Sequence, residues 1–197
     1  IKDVKTLIRA ARTIAAREPR AVFHIIGPTE EDPDYFDECK QMVTLMGLEK
    51  KVLFLGPKNV REILSGLDVC LLTSISEGLP LIILEAFAAG VPCVATDVGA
   101  CREMIFGRTP EDKAIGRAGL LTKICSPLDT ADAVLDLVHT LMHQVLHPLL
   151  LAVDIGELVQ VFVSPAMLMV YPPDDDRGSA SSTSSRTARD RSVDFIE

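Results

Sequence analysis

The chain alternates between two kinds of apolar pattern. Over residues 4–16 the apolar side chains Val4, Leu7, Ile8, Ala11, Ile14 and Ala15 recur at three- and four-residue steps, with Lys5, Arg9 and Arg12 between them. That is the stripe of a half-buried helix, and Pro19 stops it. Residues 21–27 then run apolar at nearly every position and end in glycine, as a short strand covered on both faces does. The two patterns trade places down the chain. Helices are predicted over residues 33–46, 60–66, 80–89, 100–105 and 130–147, and strands over 51–56, 68–73, 92–96 and 118–122. Residues 106–117 show neither period and read as a polar, solvated loop.

Five short apolar runs separated by helices imply right-handed crossovers. The expected fold is therefore α/β, a Rossmann-like parallel sheet with helices on both faces. Ligands of such sheets sit at the carboxyl ends of the strands, so the loops after Gly27, Gly56, Thr73 and Thr96 are where a site belongs.

Beyond Pro148 the pattern degrades. Residues 149–171 are apolar without a clean period, and residues 172–197 are rich in Pro, Asp, Ser, Thr and Arg. The expected division is a ligand-binding domain over 1–148, an apolar segment of open structure over 149–171 and a disordered tail over 172–197. The apolar stretch 145–170 contains Pro148, Asp154, Glu157, Gln160 and Pro165, so it lacks the roughly 18 uninterrupted apolar residues of a spanning helix.

Composition narrows the function classes. Trp is absent and hydrophobic residues make up 48% of the chain, so the core must be aliphatic. A net charge of −8 excludes nucleic acid as a main partner, although it leaves room for a local basic pocket that takes one small anion. The five cysteines Cys39, Cys70, Cys93, Cys101 and Cys125 form no C-x-x-C pair. They read as reduced residues of a cytoplasmic protein, with Cys70, Cys93 and Cys125 in the core. The chain opens Ile1-Lys2-Asp3 with neither Met nor an apolar leader, the start expected of a piece of a longer protein.

The chemistry concentrates in residues 73–90. A strand ends at Thr73, a polar turn follows, Gly78 lets backbone approach a ligand, and Pro80 opens a helix that Gly90 closes. Free N–H groups at that helix start suit a diphosphate. Glu77 stands just before the helix. Glu85 stands inside it, with Leu81, Ile82 and Ala89 on its face, where a carboxylate is costly unless ligand hydroxyls satisfy it.

Two glutamates separated by seven residues, in Glu77-Gly-Leu-Pro80 and Glu85-Ala-Phe-Ala-Ala-Gly90, resemble glycosyltransferase family 4. Phe54-Leu-Gly56, Leu67-Asp-Val-Cys-Leu-Leu-Thr-Ser74, Thr96-Asp-Val-Gly-Ala-Cys-Arg-Glu103 and Ala118-Gly-Leu-Leu121 continue the resemblance, which covers residues 2–138. Within the family, residues 74–80, 95–103 and 107–112 look like the enzymes that build Pel exopolysaccharide. The resemblance implies the C-terminal half of a two-domain GT-B fold and a retaining, metal-independent transfer from a nucleotide sugar, UDP-glucose, with no further cofactor. It implies that Glu77 meets hydroxyls of the donor sugar and that Lys2 stabilises the departing diphosphate. Ser76, Gly78, Leu79 and Pro80 would line sugar and phosphates, Glu85 would hold the ribose, and Gly56 and Asn59 would border the base. The family's phosphate-binding Arg would precede Ile1, and the saccharide acceptor would bind an N-terminal domain outside this chain. A membrane-bound polysaccharide synthase complex is the implied partner, at the cytoplasmic side of the inner membrane. Two rival readings are a nucleotide-binding module without transfer activity and an interaction-only fragment.

Weaker signals carry less. His139, His143 and His147 share a helix face at four-residue steps, but no matching carboxylate completes a metal set, so no metal site is expected. His24 reads as a core residue. Arg102 and Glu103 suit either the ligand or a local ion pair.

Overall fold

The computed structural model describes the backbone of residues 1–149 and the side chains of residues 1–141. The element order is α1 (Val4–Arg17), β1 (Phe23–Ile26), α2 (Pro33–Leu45), β2 (Val52–Gly56), α3 (Val60–Leu64), β3 (Cys70–Leu72), α4 (Leu81–Ala88), β4 (Cys93–Thr96), α5 (Cys101–Phe106), α6 (Pro110–Ile115), β5 (Gly119–Thr122) and α7 (Pro127–Leu149). Every strand pairing is parallel, as crossover helices require. The expected apolar segment and disordered tail lie outside the described residues.

The pattern predicts one continuous sheet, but the hydrogen-bonded ladder divides into β1–β2 and β3–β4–β5. The chain's first residues explain what lies beside β3 instead of β1. Ile75 N–H donates to the Ile1 carbonyl at 2.9 Å, and the Thr73 hydroxyl lies 3.1 Å from the carbonyls of both Lys2 and Asp3. Side-chain packing joins the halves. One core cluster contains Phe23 and Ile25 of β1 with Leu71 of β3 and Val94 of β4, under α1 and α7. The opposite cluster contains Ile26 with Leu72 and Ala95, against α4 and α5. Aliphatic burial on both faces is the main stabilising force of such a layered fold.

Two local expectations need correction. Residues 106–117 are not a loop throughout, because α6 forms there. Pro110 fixes its first turn, Thr109 Oγ1 accepts from Asp112 N–H, and the Asp112 carboxylate accepts from Thr109 N–H at 2.9 Å. This reciprocal cap supplies the helix start that an apolar period would otherwise signal. Cys125 is not a core residue. It is exposed in the turn after β5, at φ +54°, whereas the other four cysteines are buried. Its apolar run ends with the strand, so the thiol lies past the covered part of the sheet.

Among the described residues no helix is long and apolar enough to cross a membrane.

Candidate functional site

Lys2 is placed by a tight turn. Asp3 adopts φ +45°, a left-handed conformation that Asp tolerates, and its carboxylate accepts from Thr6 N–H at 3.1 Å to start α1. Lys2 therefore sits at the carboxyl end of β3. Its Nζ lies 2.6 Å from Glu77 Oε1, across 75 positions of sequence. The buried Ser74 hydroxyl donates to the same Oε1 at 2.5 Å. The Glu77 side chain is 10% exposed and the Lys2 side chain 42%, so the carboxylate is the enclosed partner and the ammonium faces outward.

The loop that carries Glu77 is braced from β4. Thr96 Oγ1 donates to the Ser74 carbonyl, and Ala100 N–H donates to the Gly78 carbonyl at 3.0 Å. Gly99, at φ +52°, approaches so closely that a Cβ there would stand 1.9 Å from the Glu77 carbonyl oxygen. Ser76, Gly78 and Leu79 are exposed on this loop, and Pro80 is buried at its end. Pro80 is the N-cap of α4, one place earlier than the predicted first-turn position. Among the described residues no side chain caps this helix start, three residues after Glu77, which leaves leading N–H groups of the helix without a side-chain acceptor.

Glu85 occupies a different environment from the one its neighbours in sequence suggest. Its side chain is 35% exposed, and Leu81 and Leu84 beside it are exposed as well. Only one face of α4, with Ile82, Ile83 and Ala86, is buried. The apolar residues around Glu85 therefore do not enclose it, and the desolvation argument for a bound ligand does not hold. Its partner is Arg61 of α3, at 3.7 Å, across a shallow groove of about 370 Å³. Gly56 ends β2 at φ +65°, and its carbonyl accepts from Gly27 N–H at 3.1 Å, which ties two of the strand-end loops together. Asn59 is exposed at the start of α3, bonded to Glu62 at 2.7 Å.

The structure thus joins Lys2 and Glu77 directly, and places Gly78, Leu79 and Pro80 beside them. Gly56 at the end of β2, Asn59 at the start of α3 and Glu85 on α4 take no part in that contact. A cavity of about 690 Å³ adjoins Lys2, with Asp3, Gly27, Tyr35, Cys39, Ile75 and Cys125 in its walls. Burial pushes Tyr35 up to about 12 and the Cys39 thiol up to about 11, which keeps both groups protonated near neutral pH.

Sequence reasoning missed Ser74, Thr96 and Gly99. Both hydroxyls end or follow strands, where side chains bond to neighbouring loops, and Gly99 lies three residues past the end of β4. The remaining polar candidates resolve simply. Arg102 pairs with Asp97, and Glu103 lies 3.8 Å from Arg108, which favours local ion pairs. His139 is exposed, and the side chains of His143 and His147 lie outside the described residues. His24 is buried, its Nδ1 has no hydrogen-bond partner among the described residues, and burial lowers its pKa to about 4.

Comparison with known proteins supplies the family. Residues 1–140 match the family model described as glycosyl transferases group 1. The chain is 38% identical over 106 residues to N-acetyl-alpha-D-glucosaminyl L-malate synthase of Bacillus anthracis, covering 53% of this chain and 26% of that protein. It is 29% identical over 140 residues to D-inositol 3-phosphate glycosyltransferase of Corynebacterium urealyticum, covering 68% of this chain and 31% of that protein. It therefore spans about a quarter to a third of these relatives' length. Among solved structures, Anabaena HepE in complex with UDP-glucose superposes with a TM-score of 0.62 at 25% identity, over 72% of this chain and 36% of that one. The C-terminal domain of the Francisella tularensis group 1 protein LpcC superposes with a TM-score of 0.57 at 27% identity, over 71% of this chain and 69% of that domain. The match over residues 1–140 spans the whole sheet and both walls of the site, and the chain belongs to the glycosyl transferases group 1 family.

Proposed function

We propose that this chain is the donor-binding half of a retaining, metal-independent glycosyltransferase that takes UDP-glucose. The observation that carries the reading is the Lys2–Glu77 contact of 2.6 Å beside the uncapped start of α4. That contact supports a reading in which the cation meets the departing diphosphate and the carboxylate meets sugar hydroxyls. Ser76, Gly78, Leu79 and Pro80 would offer backbone and small side chains to the sugar and phosphates. Glu85 would accept from ribose hydroxyls in exchange for its long contact with Arg61, and Gly56 and Asn59 would border the base.

The chemistry follows from charge. As the glycosidic bond to the diphosphate breaks, negative charge grows on the departing phosphate oxygens. Lys2 Nζ and the N–H groups of α4 offset it, which lowers the barrier by electrostatic stabilisation. No metal is needed for that step. The family resemblance supports retention of configuration, and the HepE complex with UDP-glucose supports the donor. The resemblance to PelF, the Pel glycosyltransferase, supports exopolysaccharide synthesis at the cytoplasmic face of the inner membrane, with a membrane-bound polysaccharide synthase complex as partner. The saccharide acceptor belongs to a second domain. By itself the chain binds the donor and transfers slowly or not at all.

Calorimetric titration with UDP, UDP-glucose and ADP-glucose tests the reading. Binding of the uridine ligands, weakened by Glu85→Ala, is expected. A folded chain that binds none of the three would refute it.

A further inference from the structure

Glu77 is a flexible side chain on a loop, yet a carboxylate that reads sugar hydroxyls must hold one position. Two donors meet it, and both end on Oε1. Oε2 has no hydrogen bond among the described residues. The two donors are not equivalent. Lys2 reaches Oε1 on a long stem that is 42% exposed, and its charge has a competing use on the diphosphate. Ser74 is fully buried, has one rotatable bond before its hydroxyl, and sits three residues before Glu77. Its backbone is fixed as well, because Thr96 Oγ1 donates to the Ser74 carbonyl.

We infer that Ser74 is the positioning residue for Glu77. Its hydroxyl fixes Oε1, so that Oε2 stays available to the donor sugar when Lys2 turns to the diphosphate. Charge-assisted O–H···O bonds are short and strong, and the 2.5 Å contact has that form. The inference rests on the proposed donor site, and it assigns a role to a residue that touches no ligand itself. Ser74 acts on the sugar alone, through Glu77. Lys2 acts on the diphosphate.

The test separates those two parts of the donor. The affinity of the 197-residue chain for UDP and for UDP-glucose is measured by calorimetry, beside Ser74→Ala and Ser74→Thr. Ser74→Ala is expected to weaken UDP-glucose about 5-fold or more, the loss of one hydrogen bond to a charged group, and to leave UDP within about 2-fold. Ser74→Thr keeps the hydroxyl and is expected to restore UDP-glucose binding. Unchanged UDP-glucose affinity in Ser74→Ala would overturn the inference. Equal weakening of both ligands would overturn it too, since it would mark Ser74 as a packing residue only. If the unaltered chain bound no UDP, the donor site itself would fall and the inference with it. UDP binding by the unaltered chain with no selective effect at Ser74 would remove only the inference.

Discussion

The two glutamates of the site stand eight positions apart in sequence but in contrasting surroundings. Glu77 is 10% exposed and is held on one oxygen by Lys2 and Ser74 at 2.6 and 2.5 Å. Glu85 is 35% exposed, and its one ion-pair partner among the described residues is Arg61 at 3.7 Å, too long for a hydrogen bond. The first carboxylate is organised before any ligand arrives. The second is open to exchange its partner for one. The difference comes from where each lies. Glu77 is on a loop braced by the next strand's loop, and Glu85 is on the uncovered face of a short helix. The two should therefore respond differently to substitution.

The largest effect is expected from breaking the brace under Glu77. In Gly99→Val the new Cβ would meet the Glu77 and Gly78 carbonyl oxygens at 1.9 and 2.9 Å, at a φ of +52° that a β-branched residue resists. The 77–80 loop must move, and donor affinity should fall by roughly 100-fold, equivalent to about 3 kcal/mol. Calorimetry with UDP-glucose reads the loss, and circular dichroism should still report a folded chain.

A pH profile would also sharpen the comparison, provided the fold's own titrations are separated first. Two groups, buried His24 and half-buried Asp68, oppose each other. His24 ordinarily titrates at 6.5 and is lowered to about 4 by burial. As pH falls through that window the unfolded chain takes up a proton that the folded chain refuses, so stability is lost toward acid, by at most about 3 kcal/mol. Asp68 ordinarily titrates at 3.8 and is raised to about 7 by burial, and its Oδ2 has no hydrogen-bond partner among the described residues. As pH rises through its window the unfolded chain releases a proton that the folded chain keeps, so stability is lost toward neutral pH. Urea unfolding of the unaltered chain should show a shallow dependence between about pH 4 and 6.5. In His24→Gln stability should fall as pH rises across that range, and in Asp68→Asn it should increase. Slopes of the reverse sign would show that neither group titrates as its burial dictates.

Glu85→Ala isolates the second glutamate. It should weaken UDP and UDP-glucose alike, by roughly 10-fold, because one lost charge-assisted bond to the ribose is common to both ligands. A selective loss of UDP-glucose would move Glu85 from the ribose to the sugar and collapse the distinction from Glu77.

Much of this architecture was legible in the residue pattern. Buried strands announce themselves as short apolar runs, so β1 to β5 fell within one or two residues of their predicted places, and the motif around Glu77 located the strand-end loop. Three things were not legible, each for a physical reason. A six-residue polar helix such as α6 has no buried stripe, and only Thr109 and Asp112, with Pro110 between them, marked its start. The exposure of Glu85 depends on which face of α4 the sheet covers, and a helix as apolar as Leu81–Ala88 does not show that face in its sequence. The Ser74 and Gly99 contacts are tertiary. They join residues whose spacing carries no period, and only the fold brings the loops after β3 and β4 together.

The smallest expected effect distinguishes the glutamates by sign. Glu77→Gln keeps the shape of the side chain and its oxygen acceptor, but removes the charge that holds Lys2. With Lys2 half-exposed to solvent, an ion pair of this kind is worth about 1 kcal/mol. Lys2 would then be free for the diphosphate, and one negative charge facing it would be gone. UDP should therefore bind about 2- to 5-fold more tightly in Glu77→Gln, most clearly at low salt. UDP-glucose should not share that gain, because the neutral amide is a weaker acceptor for sugar hydroxyls than a carboxylate. No substitution at Glu85 should tighten either ligand. Weaker UDP binding in Glu77→Gln would mean that Glu77 supports the diphosphate site instead of competing with it for Lys2, and the pair would have to be read as one prepared cradle in which the ammonium keeps its place when the donor binds.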